Sequence, residues 1–195
     1  MARILLKEME HLRPIFVEDA VVSAHVDVMA DLARETSIPL CIGERLHSRY
    51  DFRQVFEKRA AGIINPDTAH VGGISEMVRI GHMAEAYDVP IAPHCPLGPI
   101  ALAACLQVDA ICYNAVIQEQ SLGIHYNKGG DLNDYLAPAS RFKVEDGFLP
   151  IPQGPGLGIE VDEAVVAERA IDGHKWRAPI WRRRRRPPSS MWKRW

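Results

Sequence analysis

The chain has 195 residues, 47% of them apolar and 25% charged, with a formal net charge of −2. This composition supports a packed core and excludes a disordered or collagen-like chain, and no stretch approaches the roughly 18 consecutive apolar residues of a membrane span. Seven basic residues and no acid fall in residues 182–195, so the remainder is more acidic than the net charge, which argues against a general nucleic-acid surface.

Residues 1–12 place Ile4, Leu5, Met9 and Leu12 at helical spacing, and Pro14 follows as a stop. Ile15-Phe16-Val17 is too short for a helix and reads as a strand. Residues 24–36 repeat the helical period with Val28, Met29, Leu32 and Ala33, and residues 38–42 form a second apolar run. A helix is expected over 51–58, with Asp51 near its N-cap. Gly62-Ile63-Ile64 is a third run, and residues 74–87 form a long amphipathic helix. Residues 89–92 are a fourth run, 99–108 a helix of small residues, and 111–117 a fifth run. Short apolar strands alternating with helices predict a parallel sheet of βα units. Beyond residue 125 the pattern weakens. One helical turn is expected at 133–136, a hairpin or edge pair over 142–149, and a helix at 163–171.

Each presumed strand ends in a residue that can bind a metal or move a proton. Val17 leads into Glu18, Gly43 into Glu44, Pro66 into Asp67, Pro93 into His94 and Gln118 into Glu119. Successive members lie 23 to 27 residues apart, close to one βα unit. In a (β/α) barrel the C-terminal ends of the strands open onto one face, where active sites are built. The fold class expected is therefore α/β, a partial TIM-type (β/α) barrel of about five strands with a C-terminal extension. The expected organisation is a domain over 1–181 and a disordered arginine-rich tail over 182–195, whose charge block cannot pack.

Glu18 and Glu44, on adjacent strand ends, offer part of the oxygen set that a hard divalent cation such as Mg²⁺ requires. The competing reading is that each pairs with an arginine such as Arg45 or Arg49. His94 sits in a proline- and glycine-rich turn that holds a side chain rigidly, one strand beyond Asp67. A carboxylate bonded to the imidazole would orient it and raise its basicity. His25 and His82 fall in helices and read as surface residues; His47, His70 and His125 fall in loops on the same presumed face. Gly72-Gly73 could set backbone amides near an anion, on weak grounds. Cys41, Cys95, Cys105 and Cys112 lie in apolar runs without a C-x-x-C pair and read as buried free thiols. The start of the chain has no long apolar segment and no cleavage site, so a cytoplasmic location is expected.

Phe16-Val17-Glu18-Asp19, Gly43-Glu44-Arg45, Asn65-Pro66-Asp67 and the run from Ala92 to Pro99 resemble the barrel domain of the enolase superfamily, mandelate racemase subgroup. The longer runs 92–105 and 118–128 resemble the galactonate dehydratases within it. The resemblance implies Mg²⁺ held by Glu18 and Glu44 and an acid–base role for His94. It further implies Asp67 as the group raising the basicity of His94 and Glu119 as the stabiliser of an enolic intermediate. The implied reaction removes the proton α to the carboxylate of a sugar acid, galactonate or a gluconate- or mannonate-class relative, and loses the 3-hydroxyl. In the family a further metal-binding aspartate, a second catalytic histidine and a capping domain precede the position of Met1, and oligomers are usual. The expectation is then a truncated site of weak Mg²⁺ affinity and negligible turnover, or a non-catalytic remnant, with open barrel edges that invite association. Asp19-Ala20 stands where the family commonly has Glu-Pro, which predicts a looser turn beside Glu18.

Overall fold

The computed structural model describes residues 1–124 and 130–170. The 182–195 tail, the end of the expected 1–181 domain and His125 lie outside the described residues.

Three short strands, β1 (Val17–Glu18), β2 (Leu40–Ile42) and β3 (Ile63–Ile64), form a parallel sheet in that order. Val17 pairs with Leu40, Cys41 with Ile63 and Ile42 with Ile64. The fourth and fifth apolar runs join the sheet through parallel bridges at single residues, Ile64 to Ile91 and Ile91 to Ala115. Asn114 ties these two runs together, because its side-chain amide donates to the Val89 carbonyl while its own carbonyl accepts from the Ile91 N–H. Five parallel segments therefore run side by side, as the alternation of runs and helices predicts.

Between them lie α2 (Val26–Glu35), α3 (Arg49–Glu57), α4 (Ile74–Glu85) and α5 (Pro99–Asp109). The period-2 alternation of the strands sorts their side chains. Leu40, Ile42, Ile64 and Ile91 face the helices and pack with Met29, Leu32, Phe52, Val55, Met77, Ile80 and Val108 in the main core. Cys41, Ile63 and Ala92 point the other way and meet Phe16 in a small inner cluster. All three β2 residues are buried, so the strand is apolar on both faces.

Helix boundaries follow local chemistry. Helix α3 begins earlier than the spacing suggests, with Ser48 as its N-cap. Asp51 sits one turn inside and accepts from the His47 N–H and the Ser48 hydroxyl. Gly73 and Gly98, both at positive φ, open α4 and α5, and Pro99 supplies a first helical residue that lacks an N–H. The first helix, α1 (Ala2–Met9), continues into a 3-10 turn, Glu10–Leu12. Its contact face departs from expectation. Leu6 is buried and packs with Ala2 and Met9, whereas Ile4, Leu5 and Leu12 are exposed. A helix lying on the core along a single stripe can bury only one of the apolar lines its sequence offers.

The C-terminal extension packs over α5 through a separate cluster of Cys95, Leu102, Cys105, Leu106, Leu136 and Phe142. It holds a 3-10 turn, Leu132–Tyr135, and α6 (Glu163–Arg169), which starts with the Asp162 side chain accepting from the Val165 N–H. Leu136 pairs with Val161 in an antiparallel bridge that the sequence pattern did not signal. The expected hairpin is reduced to one pair, Glu145 with Phe148. Among the described residues no helix is long and apolar enough to cross a membrane, and all four cysteines are buried and free.

Candidate active site

The five strand-end residues emerge on one side of the sheet. Glu18 closes β1, Glu44 follows β2 by two residues and Asp67 follows β3 by three. His94 is bridged to Asp67, and Glu119 follows the segment through Ala115. Parallel strands of similar length deliver these positions together, because each turn into the next helix starts at the same level.

His94 is the centre of the cluster, and only 9% exposed. Its Nδ1 lies 2.8 Å from Asp67 Oδ2 and its Nε2 2.8 Å from Glu44 Oε2. A neutral imidazole has one N–H to donate, so against two ionised carboxylates it satisfies one contact at a time. Asp67 is itself locked: its Oδ1 accepts from the Ala69 N–H at 2.7 Å and from the His70 N–H at 3.1 Å. Glu119 Oε2 stands 3.9 Å from His94 Nε2 and accepts from the Cys95 N–H at 3.0 Å. It thereby grips the backbone next to the histidine.

Donor atoms of Asp67, His70 and His94 lie within 4.8 Å of one another. The Asp67 carboxylate is already occupied on both oxygens, so this trio is a hydrogen-bond network and a poor cation cage. His70 also places Nδ1 3.1 Å from the Glu44 carbonyl, and its ring lies 6.1 Å from that of His94. His47 lies 6.2 Å from His70, so both loop histidines stand on the site side. His82 and His25 are exposed and away from it, although His25 is the N-cap of α2 and not inside the helix.

The carboxylate side of the site is electrostatically different. Glu18 is exposed, and among the described residues no cationic side chain forms an ion pair with it. Partial burial raises its pKa, and the neighbouring charges of Glu119, Glu44 and Asp19 push the same way, against the bond from Asn65. A cluster of acids repelling one another fits a hard, oxygen-seeking cation, with Glu18 and Glu44 as the groups that would hold it. The arginine alternative applies to one of the pair. Arg45 Nε bonds Glu44 Oε1 at 2.9 Å and reaches Asp19 Oδ2 at 3.5 Å, whereas Arg49 pairs with Glu76.

The turn beside Glu18 is tied down by hydrogen bonds. Asp19 adopts a left-handed φ of 44°. Its N–H bonds the Cys41 carbonyl, and its carboxylate accepts from the buried Ser23 hydroxyl at 3.1 Å. Sequence reasoning passed over Asn65, a buried amide whose Nδ2 donates to Glu18 Oε1 at 2.5 Å. The only signal was its place in the Asn65-Pro66-Asp67 run, at the mouth of β3. The thiols take no part. Burial raises Cys41 strongly, and Cys105 bonds Thr68 within the C-terminal cluster.

The family model described as Enolase C-terminal domain-like matches residues 1–165. A D-galactonate dehydratase of Ralstonia pickettii (strain 12J) is 52% identical over 182 residues, which cover 93% of this chain and 48% of that protein. Its counterpart in Verminephrobacter eiseniae (strain EF01-2) is 49% identical with the same coverage. The chain thus spans about half the length of these relatives. Among solved structures, a mandelate racemase/muconate lactonizing enzyme from Sulfitobacter sp. aligns with a TM-score of 0.80 at 33% identity, covering 89% of this chain and 42% of that one. A similar protein from Rubrobacter xylanophilus DSM 9941 aligns at 0.79 and 30%, covering 88% and 43%.

Proposed function

The chain belongs to the enolase C-terminal domain-like family, and from that premise we propose that it carries the proton-abstracting and cation-holding face of a Mg²⁺-dependent sugar-acid dehydratase. The substrate is galactonate and the product 2-keto-3-deoxygalactonate. The carrying observation is His94, clamped between Asp67 and Glu44 at 2.8 Å on each side, beside the exposed carboxylate of Glu18. Relatives named D-galactonate dehydratase support the choice of substrate.

Glu18 and Glu44 are the residues that would hold Mg²⁺. When bound, the ion supplies positive charge beside the substrate carboxylate and so makes the adjacent C–H more acidic. Asp67 keeps the Nδ1 proton of His94 in place, which leaves Nε2 as the base. The ring protonated at Nδ1 alone presents the Nε2 lone pair once Glu44 turns away from it; Arg45 already holds the other Glu44 oxygen at 2.9 Å. Nε2 takes the α-proton, and the C–H electron pair moves into the enediolate. That pair then forms the C2–C3 double bond as the C3–O bond breaks. The hydroxyl leaves as water on the proton that Nε2 has just taken, which returns His94 to its starting state, and the C2 enol rearranges to the 2-keto acid. Glu119, fixed to the Cys95 N–H, flanks the enolic oxygen.

We further place the protein in the cytoplasm, where buried free thiols stay reduced. We expect self-association through the outer edges of β1 and of the segment through Ala115. Neither a membrane nor a nucleic acid is a partner in this reading.

A coupled assay for the 2-keto-3-deoxy acid, with the purified 195-residue chain and excess Mg²⁺, tests the function. Product formation should require Mg²⁺ and disappear in His94→Asn. It should run below an enzyme median of about 10 s⁻¹, because Glu18 is exposed to water and water weakens the electrostatic interactions of the site. Turnover indifferent to His94→Asn overturns the assignment, and no turnover at all favours a non-catalytic role.

A further inference from the structure

The side chain of Asn65 has a cost that its packing does not explain. The residue is 4% exposed, and its Oδ1 is buried without a hydrogen-bond partner. A buried acceptor left unpaired is destabilising, whereas an apolar side chain of similar shape in the same place is close to neutral. Stability alone would therefore favour leucine at this position.

What the amide does achieve is one bond. Its Nδ2 donates to Glu18 Oε1 at 2.5 Å, across 47 positions of sequence and the width of β2. The amide cannot usefully turn over, because Oδ1 against a carboxylate would set two acceptors face to face. Its backbone is held as well. A Cβ on Gly43 would come within 2.4 Å of the Asn65 carbonyl carbon, so only glycine permits this approach. The Asn65 N–H donates to the Ile42 carbonyl at 3.3 Å, and Pro66 restricts the residue to extended conformations. Glu18, in contrast, is an exposed side chain with rotamer freedom to lose.

We propose that Asn65 is a positioning residue, a rigid arm that fixes the Glu18 carboxylate in the orientation in which it receives a divalent cation. It acts through Glu18 and touches neither cation nor substrate. The inference rests on the Mg²⁺ reading above.

The test is a Mn²⁺ titration of the full 195-residue chain followed by electron paramagnetic resonance, with Mg²⁺ as competitor, alongside thermal unfolding. Asn65→Leu should weaken cation binding about 10- to 100-fold, the range seen when a partner of a metal ligand is removed. Its melting temperature should be no lower than that of the parent. In a Glu18→Gln background the same change should have no further effect. Asn65→Ser, smaller and unable to reach Glu18, gives the same comparison should the leucine variant misfold. Three results overturn the proposal: parent-like affinity in both variants, a loss of affinity that tracks a loss of stability, or an undiminished effect in the Glu18→Gln background. A parent chain that binds neither ion removes the cation reading and this inference together. A parent that binds, with unaffected Asn65 variants, removes this inference alone.

Discussion

Two acids at opposite ends of the sheet meet burial in different ways. Glu18 lies at the C-terminal end of β1, where burial and neighbouring acids raise its pKa and a bond from Asn65 opposes them. Asp109 closes α5, which runs back along the sheet from the site, so it lies at the far end. Burial alone pushes its pKa up to about 7, and its Oδ1 is buried without a partner. It also ends a helix, where the macrodipole disfavours an anion. The same residue class thus gives two outcomes. At the site end, an acid is held by a donor, crowded by like charge and open to a cation. At the far end, an acid is surrounded by apolar side chains, and its charge is only a liability. A raised pKa by itself does not mark a functional site; the groups around it do.

The comparison can be broken most severely at His94. His94→Asn should reduce Mg²⁺-dependent exchange of the substrate α-proton with solvent deuterium by about 10²- to 10⁴-fold. Proton NMR in deuterium oxide reads this directly, and retained exchange would move the base elsewhere. Gly43→Ala acts on the scaffold of the same end. Its Cβ would press on the Asn65 backbone at 2.4 to 2.7 Å. Forced repacking of this kind costs about 1–3 kcal/mol, and denaturant unfolding should show it together with weaker Mn²⁺ binding. Unchanged stability would mean that the strands do not approach as closely as described.

Asp109→Asn probes the far end through pH. The folded-state pKa of about 7 lies above the ordinary value near 3.9, so the folded protein holds a proton that the unfolded chain releases. The Asp109 contribution is therefore fully present below about pH 4, and it is lost as pH rises towards 7. The variant should exceed the parent by on the order of 4 kcal/mol at pH 8, with the difference vanishing near pH 4. Urea unfolding at both pH values measures it, and a difference of opposite sign would mean that Asp109 has a partner. The smallest effect is expected from Ser23→Ala, which removes the 3.1 Å bond to Asp19 beside Glu18. It should cost about 1 kcal/mol, since the Asp19 N–H bond to the Cys41 carbonyl remains. A larger loss would show that the turn depends on its side chains more than on its backbone.

Much of the sheet was legible in the chain. Runs ending at Glu18, Glu44, Asp67, His94 and Glu119 recur at nearly constant spacing, and a βα unit has a nearly constant length. That regularity predicts parallel order and a shared face, and the register of Cys41 with Ile63 and of Asp67 with His94 agrees. The pairing of Asp67 with His94 was legible for the same reason, since neighbouring strand ends are also neighbours in space. The reach of the fourth and fifth strands was not. The fourth bridges its neighbours only at Ile91 and His94 and the fifth only at Ala115, and prolines at 90 and 93 remove N–H donors around Ile91.

Sequence by itself determined what local chemistry and repeat length can carry: the order of elements, the glycine and proline punctuation of the helix starts, and the row of polar strand ends. Tertiary structure decided the relations between groups distant in the chain. Glu44 on the second nitrogen of His94, Asn65 on Glu18, the buried stripe of α1 and the isolation of Asp109 all depend on through-space distances of a few ångströms. Hydrogen bonds and desolvation vary steeply over those distances, while residue type and spacing leave them open. The chain can therefore state which groups reach the site, but only packing settles which of them touch.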